Sequence, residues 1–477
     1  MRDRLTMPAV ARSGSYSARA RLVAVFVALA FVLGGGGTPN PLTELLLQIA
    51  FVGIAVVWVW LPKPGDGLRD RVALVLVAIP LIIPLVQLIP LPPSIWSTLP
   101  DRGNEVAALS LIGEQSSWRP ISLSPSRTVA ALLAIVPAVF CFYAVARLDL
   151  KERRLVLLTI LVMTLVSAWM GAVQLTSRGS GFNFYPQHSV GWVTGFQANR
   201  NATADVLLIG ILALAAVAVP YLTDDRKRLP LGLSRRAFAI MAGGVGLFLV
   251  LATVMTGSRA GVTLLVVAGV GAALIFVVSR DVETGTLSRK ALLLLAAAVL
   301  LGGAAAFAAL SQNTAIERVA ERFSDLGNER GEVWEDSWFA LKQYWPVGFG
   351  IGGFEPAMLP AERLEYLDPL APNRAHNDYL EIGIEAGILG YAMVVAAAMA
   401  VLAVAARAWR ERRMRGQIVF GLTVLLLIAF HSVVDYPLRS MAVACLSGVA
   451  GGLLVRTRVS SHRSKEFKRA KQARGLA

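Results

Sequence analysis

Charged residues are scarce in this sequence, and long apolar runs take their place. Only 16% of the 477 residues are Asp, Glu, Lys or Arg, whereas 56% are hydrophobic and the mean hydropathy is +0.61. A soluble domain carries about 25% charged residues, so the composition excludes a soluble globular protein. It indicates an integral membrane protein instead.

Residues for disulfide and metal chemistry are also few. The chain has 2 cysteines, Cys141 and Cys445, and 4 histidines. Both cysteines fall within apolar runs, where we expect them to pack as small hydrophobic side chains rather than to form a disulfide. The sequence contains no CxxC, no HExxH and no other ligand spacing typical of zinc. We therefore predict neither a metal site nor a cofactor.

The apolar runs predict an all-α, polytopic membrane protein of about twelve transmembrane helices, since each span needs about 20 apolar residues. The predicted spans are 22–37, 43–62, 72–93, 128–146, 155–175, 203–221, 237–257, 260–279, 291–310, 379–406, 417–435 and 440–455. The first run also has the basic leader and short apolar core of a signal peptide. Because no clean cleavage site follows it, we count it as a retained helix.

Lys and Arg residues alternate between the connections. They cluster in the N-terminal tail, in the even-numbered connections and in the tail after the last span. Such clusters mark the cytoplasmic side of a membrane protein, so we predict that both termini are cytoplasmic. This topology, together with anionic membrane lipid, accounts for the net charge of +15 without a nucleic-acid partner.

These assignments divide the chain into a cytoplasmic basic tail, nine spans, a large external loop with short helices, three spans and a second basic tail. The predicted boundaries are 1–21, 22–310, 311–376, 377–455 and 456–477. The external connections carry most of the unusual polar residues. We therefore expect the functional residues on that side of the membrane.

The segment RAHNDYLEIGIE places ionisable groups where the tenth span begins. Asp378 and Glu381 fit the N-cap and third residue of a capping box, which is a structural role. Arg374 and His376 precede that cap and are not explained by it. Ionisable groups in a span cost about 2.5–3.5 kcal/mol each and are usually functional or paired. We predict a functional cluster of Arg374, His376, Asn377, Asp378, Glu381 and Glu385. The asparagine and the two glutamates recur every four residues and therefore share one helix face.

Two further arginines lie on the same predicted side. Arg259 is the one basic residue in TGSRAGV, between spans seven and eight, where snorkelling at a helix end is the structural alternative. We expect the neighbouring glycines and serine to expose backbone, which suits the close approach of a phosphate. Arg200 lies with Asn199 in GFQANRNA, just before the sixth span. Asn201 fits a helix cap there, and a substrate contact is equally open.

The long external loop contains a predicted amphipathic helix. In residues 330–345, Trp334, Trp338, Leu341 and Trp345 recur on one stripe, which indicates a helix on the membrane surface or against the bundle. The following GFGIGGF lacks the strand that precedes a dinucleotide site, so it indicates a tight turn.

The outer end of span eleven, HSVVDYPLR, adds a histidine and a carboxylate. We expect His431 to be packed or hydrogen-bonded within its helix, whereas Asp435 is either structural or functional. Arginines that converge on one membrane face suit a phosphate or diphosphate, which they bind bidentately. Helix N-termini attract the same group, and a nearby histidine can take a proton from an attacking hydroxyl. These features favour a substrate with a lipid tail and a diphosphate head.

The order of GFQANRN, GSRAG, RGEVW, FGIGGF, RAHNDYLEIGIEAGILGY and HSVVDYPLR resembles the bacterial O-antigen ligase/polymerase (Wzy-C) family. WRPISLSPSRT is similar to the family's early outer loop, and the ligase-related region runs from about 195 to 440. The resemblance implies a metal-independent, inverting glycosyltransferase in the bacterial inner membrane, with the external loop in the periplasm. Its donor would be an undecaprenyl-diphosphate-linked glycan. The acceptor would be lipid A-core in a ligase, or a growing O-antigen or exopolysaccharide chain in a polymerase.

The resemblance also implies roles for individual residues. His376 would act as base or orient the acceptor, and Arg259 and Arg374 would bind the diphosphate. The further expected substrate contacts are Arg200, Arg330, Asn199, Asn377, Glu381 and Asp435. A multi-span transporter is the alternative from another class. Transporters tend to be built from repeats with polar groups near the midplane, whereas this sequence shows no obvious repeat and gathers its polar groups at the outer ends.

Overall fold

The computed structural model describes residues 16–37, 41–61, 70–177, 184–185, 191–224, 229, 232–284, 329–363, 365 and 374–457. This part of the chain is mainly helical, and its strands form one two-stranded sheet. Eight of its helices are long and apolar enough to cross a membrane. The predicted all-α, polytopic membrane architecture is therefore confirmed.

The described part of the chain contains fifteen α-helices. They are α1 (Ala18–Leu33), α2 (Pro41–Trp60), α3 (Arg71–Gln87), α4 (Pro93–Trp96), α5 (Gly103–Leu111), α6 (Pro125–Ala146), α7 (Leu150–Thr176), α8 (Arg200–Thr223), α9 (Arg235–Val254), α10 (Arg259–Thr284), α11 (Glu329–Tyr344), α12 (Phe354–Met358), α13 (Asp378–Ala408), α14 (Arg415–His431) and α15 (Met441–Leu454). All except α4, α5, α11 and α12 coincide with predicted spans. The ninth predicted span, 291–310, lies outside the described residues, so the total of twelve stays a prediction.

Several predicted spans end earlier than their apolar runs suggest, and two of them matter for the site. The third was predicted to reach residue 93, but α3 ends at Gln87, because the following prolines favour extended backbone. That backbone forms β1 (Pro90–Leu91), which pairs antiparallel with β2 (Arg119–Pro120). The eleventh was predicted to reach residue 435, whereas α14 ends at His431. Asp435 consequently lies in the turn after the helix.

Small residues allow the helices to approach closely. A Cβ atom on Gly448 of α15 would lie 2.1 Å from the carbonyl oxygen of Ala138 on α6, so the two backbones are nearly in contact there. Small residues at such contacts are typical of helices that associate within a membrane. Cys141 and Cys445 lie on these two helices as buried, free cysteines, which agrees with the predicted packing role.

One end of the bundle carries the basic connections. Arg407, near the end of α13, pairs with Asp70 before α3 at 3.0 Å. Arg153 on α7 is fully buried and donates hydrogen bonds to three backbone carbonyl oxygens. These carbonyls belong to the ends of α6 and α15 or to the turn between α6 and α7, and they lack partners within a helix. Arg153 therefore fastens three helices together at this end.

Helix α13 is interrupted at the opposite end, inside its apolar run. Gly387 has φ 55° and ψ −140°, which is not helical. A glycine turn, residues 346–353, packs into the interruption and donates backbone N–H groups to the carbonyl oxygens of Ile384 (2.8 Å) and Glu385 (2.9 Å). Irregular backbone at membrane depth needs such internal partners. The turn thus supplies the hydrogen-bond donors that these carbonyl oxygens lack where the helix is interrupted.

The external helix α11 confirms the helix predicted at 330–345. Leu341 and Tyr344 are buried, whereas Trp338 and Trp345 are 51% and 40% exposed. Exposed indole rings are compatible with a stripe on the membrane surface, and that placement stays a prediction. The helix packs its small and aliphatic residues against α13, and this orientation turns the larger indole rings outward.

Candidate active site

The start of α13, the end of α14 and the start of α8 meet at the end of the bundle opposite the basic connections. His376 lies just before α13, and its Nδ1 atom is 3.1 Å from Oδ1 of Asp435, which follows α14. His376 is 33% exposed at its side chain, whereas Asp435 is 3% exposed. The pair therefore has a buried carboxylate and an imidazole that reaches the surface.

Asp435 is surrounded by hydrogen-bond donors. Asn201, in the first turn of α8, donates from Nδ2 to Oδ2 of Asp435 at 2.6 Å. Burial alone would raise the pKa of Asp435, but the hydrogen bond from His376 and the nearby His431 outweigh it and hold the pKa below its ordinary value. The Asp435 carboxyl group is therefore ionised at neutral pH, and it favours the His376 tautomer with a proton on Nδ1.

The backbone around His376 is held in an unusual conformation. His376 has φ 49°, in the left-handed region that few non-glycine residues adopt. Asn377 then caps α13 by accepting the backbone N–H groups of Tyr379 and Leu380, at 3.0 and 3.1 Å. The expected cap was Asp378, but Asp378 is already the first helical residue, so the predicted capping box is wrong.

A buried ionic cluster lies directly beneath this cap. Glu381 is 0% exposed, and its Oε1 atom accepts a hydrogen bond from Arg374 and forms an ion pair with Arg439, each at 2.7 Å. Arg439 also contacts Glu385 at 2.8 Å, so both predicted glutamates face one guanidinium. Burial lowers the pKa of Arg439, but the carboxylates of Glu381, Glu385 and Asp378 raise it by more, and the guanidinium stays charged.

The ionic cluster bears on the expectation that Arg374 binds a diphosphate. Three carboxyl groups, on Asp378, Glu381 and Glu385, face the two guanidinium groups of Arg374 and Arg439. The cluster thus brings no net positive charge to a bound diphosphate. Arg374 keeps further N–H donors, because a guanidinium has five, but its charge is already offset by Glu381.

Arg439 is a site residue that the sequence prediction missed. It lies in the 3-10 turn Pro437–Arg439, two residues before α15. The quoted motif HSVVDYPLR ends at this arginine, and a lone arginine in an external connection is the same signal that singled out Arg259. That rule, applied uniformly, would have found it.

Arg259 begins α10 at the same end of the bundle as His376. The turn before it packs on residues 191–199, since a Cβ atom on Gly257 would lie 2.4 Å from the Trp192 ring. The guanidinium of Arg200 stands over the same ring, 5.7 Å from its centroid. The glycine and serine next to Arg259 were expected to expose backbone. They are buried instead, because they serve the close packing of this turn.

The polar residues at the start of α8 make different contacts. Asn199 is the N-cap, and its side chain accepts the backbone N–H of Asn201 at 2.8 Å. Asn201 was the expected cap, but its side chain reaches Asp435 instead. Arg200, the first helical residue, is half-buried against Trp192. The first turn of α8 therefore contributes to the His376–Asp435 pair.

The external helix α11 contacts the segment before the cap. The indole Nε1 atom of Trp334 donates to the carbonyl oxygen of Ala375 at 2.9 Å, next to His376. Arg330 belongs to the first turn of α11, but its side chain lies outside the described part of the structure. The link through Trp334 brings the long external loop to the edge of the site.

The arrangement can perform general base chemistry. Asp435 engages Nδ1 of His376, so Nε2 is the ring nitrogen that can take a proton from a substrate hydroxyl. The arginines at the same end can contact an anion. Within the described residues, no three His, Cys, Asp or Glu side chains converge as metal ligands do.

The comparisons with known proteins agree with this geometry. Residues 244–395 match the O-antigen ligase family. The predicted resemblance is thereby confirmed, and the matched segment contains Arg259, Arg330, Arg374 and His376. No curated protein matches the chain. The family indicates a glycosyltransferase-like enzyme of the O-antigen ligase or related polymerase type, in a multi-pass membrane protein.

Proposed function

We propose that the protein transfers a glycan from an undecaprenyl-diphosphate carrier to an acceptor hydroxyl at the periplasmic face of the inner membrane. The observation that carries this proposal is the His376–Asp435 pair, 3.1 Å apart, at the end of the bundle where the helices that begin with Arg259 and Arg200 also start. The O-antigen ligase match supports the reaction class. The acceptor in this proposal is lipid A-core.

The proposed reaction is a single inverting displacement. The acceptor oxygen forms a bond to the anomeric carbon, while the bond from that carbon to the diphosphate oxygen breaks. The electron pair leaves with the lipid-linked diphosphate, and the hydroxyl proton passes to Nε2 of His376. Asp435 stabilises the imidazolium that forms, because its carboxylate already accepts the Nδ1 proton.

The departing diphosphate gains negative charge during this step and needs positive partners. In our proposal these are mainly Arg259 and Arg200, because Arg374 is offset by Glu381. Arg374 uses its remaining donors to orient the headgroup, and Asn199, Asn377 and Arg330 contribute further polar contacts. Preorganised charges of this kind often make the largest contribution to catalysis.

A polymerase is the closely related alternative. It would use the same donor and the same base, and it would differ only in extending a growing O-antigen or exopolysaccharide chain. Deletion of the gene, followed by analysis of the surface glycans, distinguishes a ligase from a polymerase. Uncapped core with accumulated lipid-linked polymer indicates a ligase, and single repeats on core indicate a polymerase. Loss of secreted polysaccharide alone indicates an exopolysaccharide enzyme.

A transporter is the alternative from another class, and the interruption of α13 is the feature that favours it. Transporters use interrupted helices to present bare backbone to a substrate near the midplane. Here the glycine turn already binds the carbonyl oxygens of Ile384 and Glu385. These carbonyls are thus satisfied within the protein, which favours the enzyme.

The direct test is glycan transfer by the purified protein in liposomes, with a lipid-diphosphate-linked glycan as donor and lipid A-core as acceptor. We expect His376→Ala to lower the rate by about 10²–10⁴-fold, the usual contribution of a general base, with unchanged membrane insertion. A wild-type transfer rate in this variant would show that His376 is not the general base.

Arg259→Lys tests the diphosphate contact, because lysine keeps the charge but loses the planar fork. We expect transfer to fall roughly 10- to 100-fold, as a lost charge-assisted hydrogen bond predicts, together with weaker donor binding. The matched control is Arg127→Lys, at an exposed ion pair with Glu355. If both variants behave alike, Arg259 is a snorkelling residue.

A further inference from the structure

A second pair of titratable side chains lies behind the His376–Asp435 pair, and the proposed reaction does not use it. Asp205 on α8 and His431 on α14 are 2% and 1% exposed. Oδ1 of Asp205 is 2.7 Å from Nδ1 of His431. A buried carboxyl group and a buried imidazole are expensive to keep within a span unless they act together.

The two pairs form one continuous line. Nε2 of His431 lies 3.9 Å from Oδ2 of Asp435, and Oδ1 of Asp435 binds His376. The order is therefore Asp205, His431, Asp435 and His376, from the interior of the bundle to the surface. Asn201 is the other partner of Oδ2.

The distances constrain where the protons lie. At 2.7 Å, Asp205 and Nδ1 of His431 share one proton. If Nε2 had no proton, its lone pair would face the ionised oxygen of Asp435, and the two would repel. Nε2 therefore carries a proton whichever partner holds the shared one. The Asp205–His431 pair is then neutral overall, and its Nε2–H faces Oδ2 of Asp435 at 3.9 Å, an electrostatic contact that is too long for a hydrogen bond.

We infer that the Asp205–His431 pair is a positioning unit for Asp435, and that it thereby holds the His376 imidazole with its proton on Nδ1. This inference rests on the proposed function, since it assigns the pair to the base of that reaction. Without the N–H from His431, the carboxylate of Asp435 is less neutralised and less constrained. It then stabilises protonated His376 more strongly and aligns the ring less well.

The other charged and titratable groups around Asp435 belong to the site already described. Asp378, at the start of α13, interacts electrostatically with Asp435, and so does Asp205. Tyr436 stacks near His376, with ring centroids 4.9 Å apart.

Three substitutions of His431 separate its two contacts. His431→Gln places an amide N–H near the position of Nε2 and keeps the donor to Asp435. His431→Asn places its amide near Nδ1 and keeps only the contact to Asp205. His431→Leu removes both. Partners that orient a functional histidine are worth about 10–100-fold, so we expect kcat to fall by this factor in the Leu and Asn variants and much less in the Gln variant.

The pH dependence of kcat/KM distinguishes a positioning role of His431 from a purely structural one. Loss of a purely structural residue would leave this dependence unchanged. The base must be unprotonated, so kcat/KM rises with pH as the base loses its proton. Without the His431 N–H, the Asp435 carboxylate is less neutralised and attracts a proton on the imidazole more strongly, so the acid limb of the profile should move to higher pH in His431→Leu and stay near wild type in His431→Gln. The donor KM should change little, because His431 does not touch the donor in our proposal.

The control is Leu427→Ala, one turn earlier on the same helix and 1% exposed. It should lower thermal stability without moving the pH profile. If His431→Leu does not fold, the Gln and Asn variants still decide, since they differ only in which contact they keep. Equal kcat and equal pH profiles for Gln and Asn would overturn the inference. A wild-type protein that transfers no glycan would instead overturn the proposed function.

Discussion

Arg439 connects the turn before α15 to the buried carboxylates of α13. Its guanidinium contacts Glu381 and Glu385, which are both 0% exposed, on successive turns of α13. Glu381 in turn holds Arg374, just before His376. Because a buried carboxylate without a cation is strongly unfavourable, the position of the cap before α13 depends on this arginine.

Arg439→Met should therefore destabilise the protein strongly. Removing one partner of a buried ion pair costs about 3–5 kcal/mol. Here the buried carboxylate of Glu385 would lose Arg439, and Glu381 would keep only Arg374. Thermal unfolding in detergent, followed by circular dichroism, measures the effect. Arg127→Met is the matched control, because its ion pair with Glu355 is exposed and is worth about 0–1 kcal/mol. Equal unfolding temperatures for the two variants would contradict the role of Arg439.

The sequence predicts some residues of this site but not their partners. The motif RAHNDYLE was enough to select His376 and the two glutamates, because ionisable groups at the mouth of an apolar run need an explanation. Their partners could not be selected in this way. Asn201 and Asp435 are 234 residues apart, and Arg439 and Glu385 are 54 apart. Which polar side chains meet depends on how the helices pack, and a single sequence does not contain that information.

At the scale of elements, the interruption of α13 is what brings the glycine turn to Glu385. Gly387 adopts φ 55°, and a Cβ atom there would lie 2.0 Å from the carbonyl oxygen of Pro346. The backbone of the turn then donates to the helix, and the N–H of Phe354 donates to Oε1 of Glu385 at 3.2 Å. The conformation and the close approach both require glycine at this position.

Gly387→Ala should therefore displace the turn and disturb the site. The backbone conformation of Gly387, with φ 55° and ψ −140°, is rare for a residue with a side chain and costs about 1–3 kcal/mol, and the clash with Pro346 adds to it. We expect a lower unfolding temperature and reduced transfer. Gly243→Ala on α9 is the control, because nothing lies within 4 Å of a Cβ atom there, and alanine in a helix is favoured by about 0.5–1 kcal/mol. Equal effects would exclude a special role for the interruption.

The sequence located most elements but not this irregularity. Apolar runs of the right length predicted the helices, since the length of a span follows from the thickness of the bilayer. Gly387 stands in the run GIEAGILGY, where three glycines have the same local setting. Only the packing of the glycine turn distinguishes the one that leaves the helical conformation.

At the scale of the whole molecule, the two ends of the bundle have different chemistry. His376, Arg259 and Arg200 lie at one end, while Arg407 and Arg153 lie at the other. Positive residues accumulate on the cytoplasmic side, so the end with His376 should face the periplasm. A lipid-diphosphate donor and an acceptor on the outer leaflet both require this orientation.

Cysteine labelling tests the orientation directly. The native cysteines are buried, Cys141 at 0% and Cys445 at 1% exposure, so the wild-type protein should give little background. Ser116 is exposed in the connection before α6, at the His376 end, and Arg410 is exposed after α13, at the basic end. With a membrane-impermeant thiol reagent, Ser116→Cys should be labelled in spheroplasts, whereas Arg410→Cys should be labelled only after permeabilisation. The reverse pattern would place His376 on the cytoplasmic side, where an acceptor on the outer leaflet could not reach it.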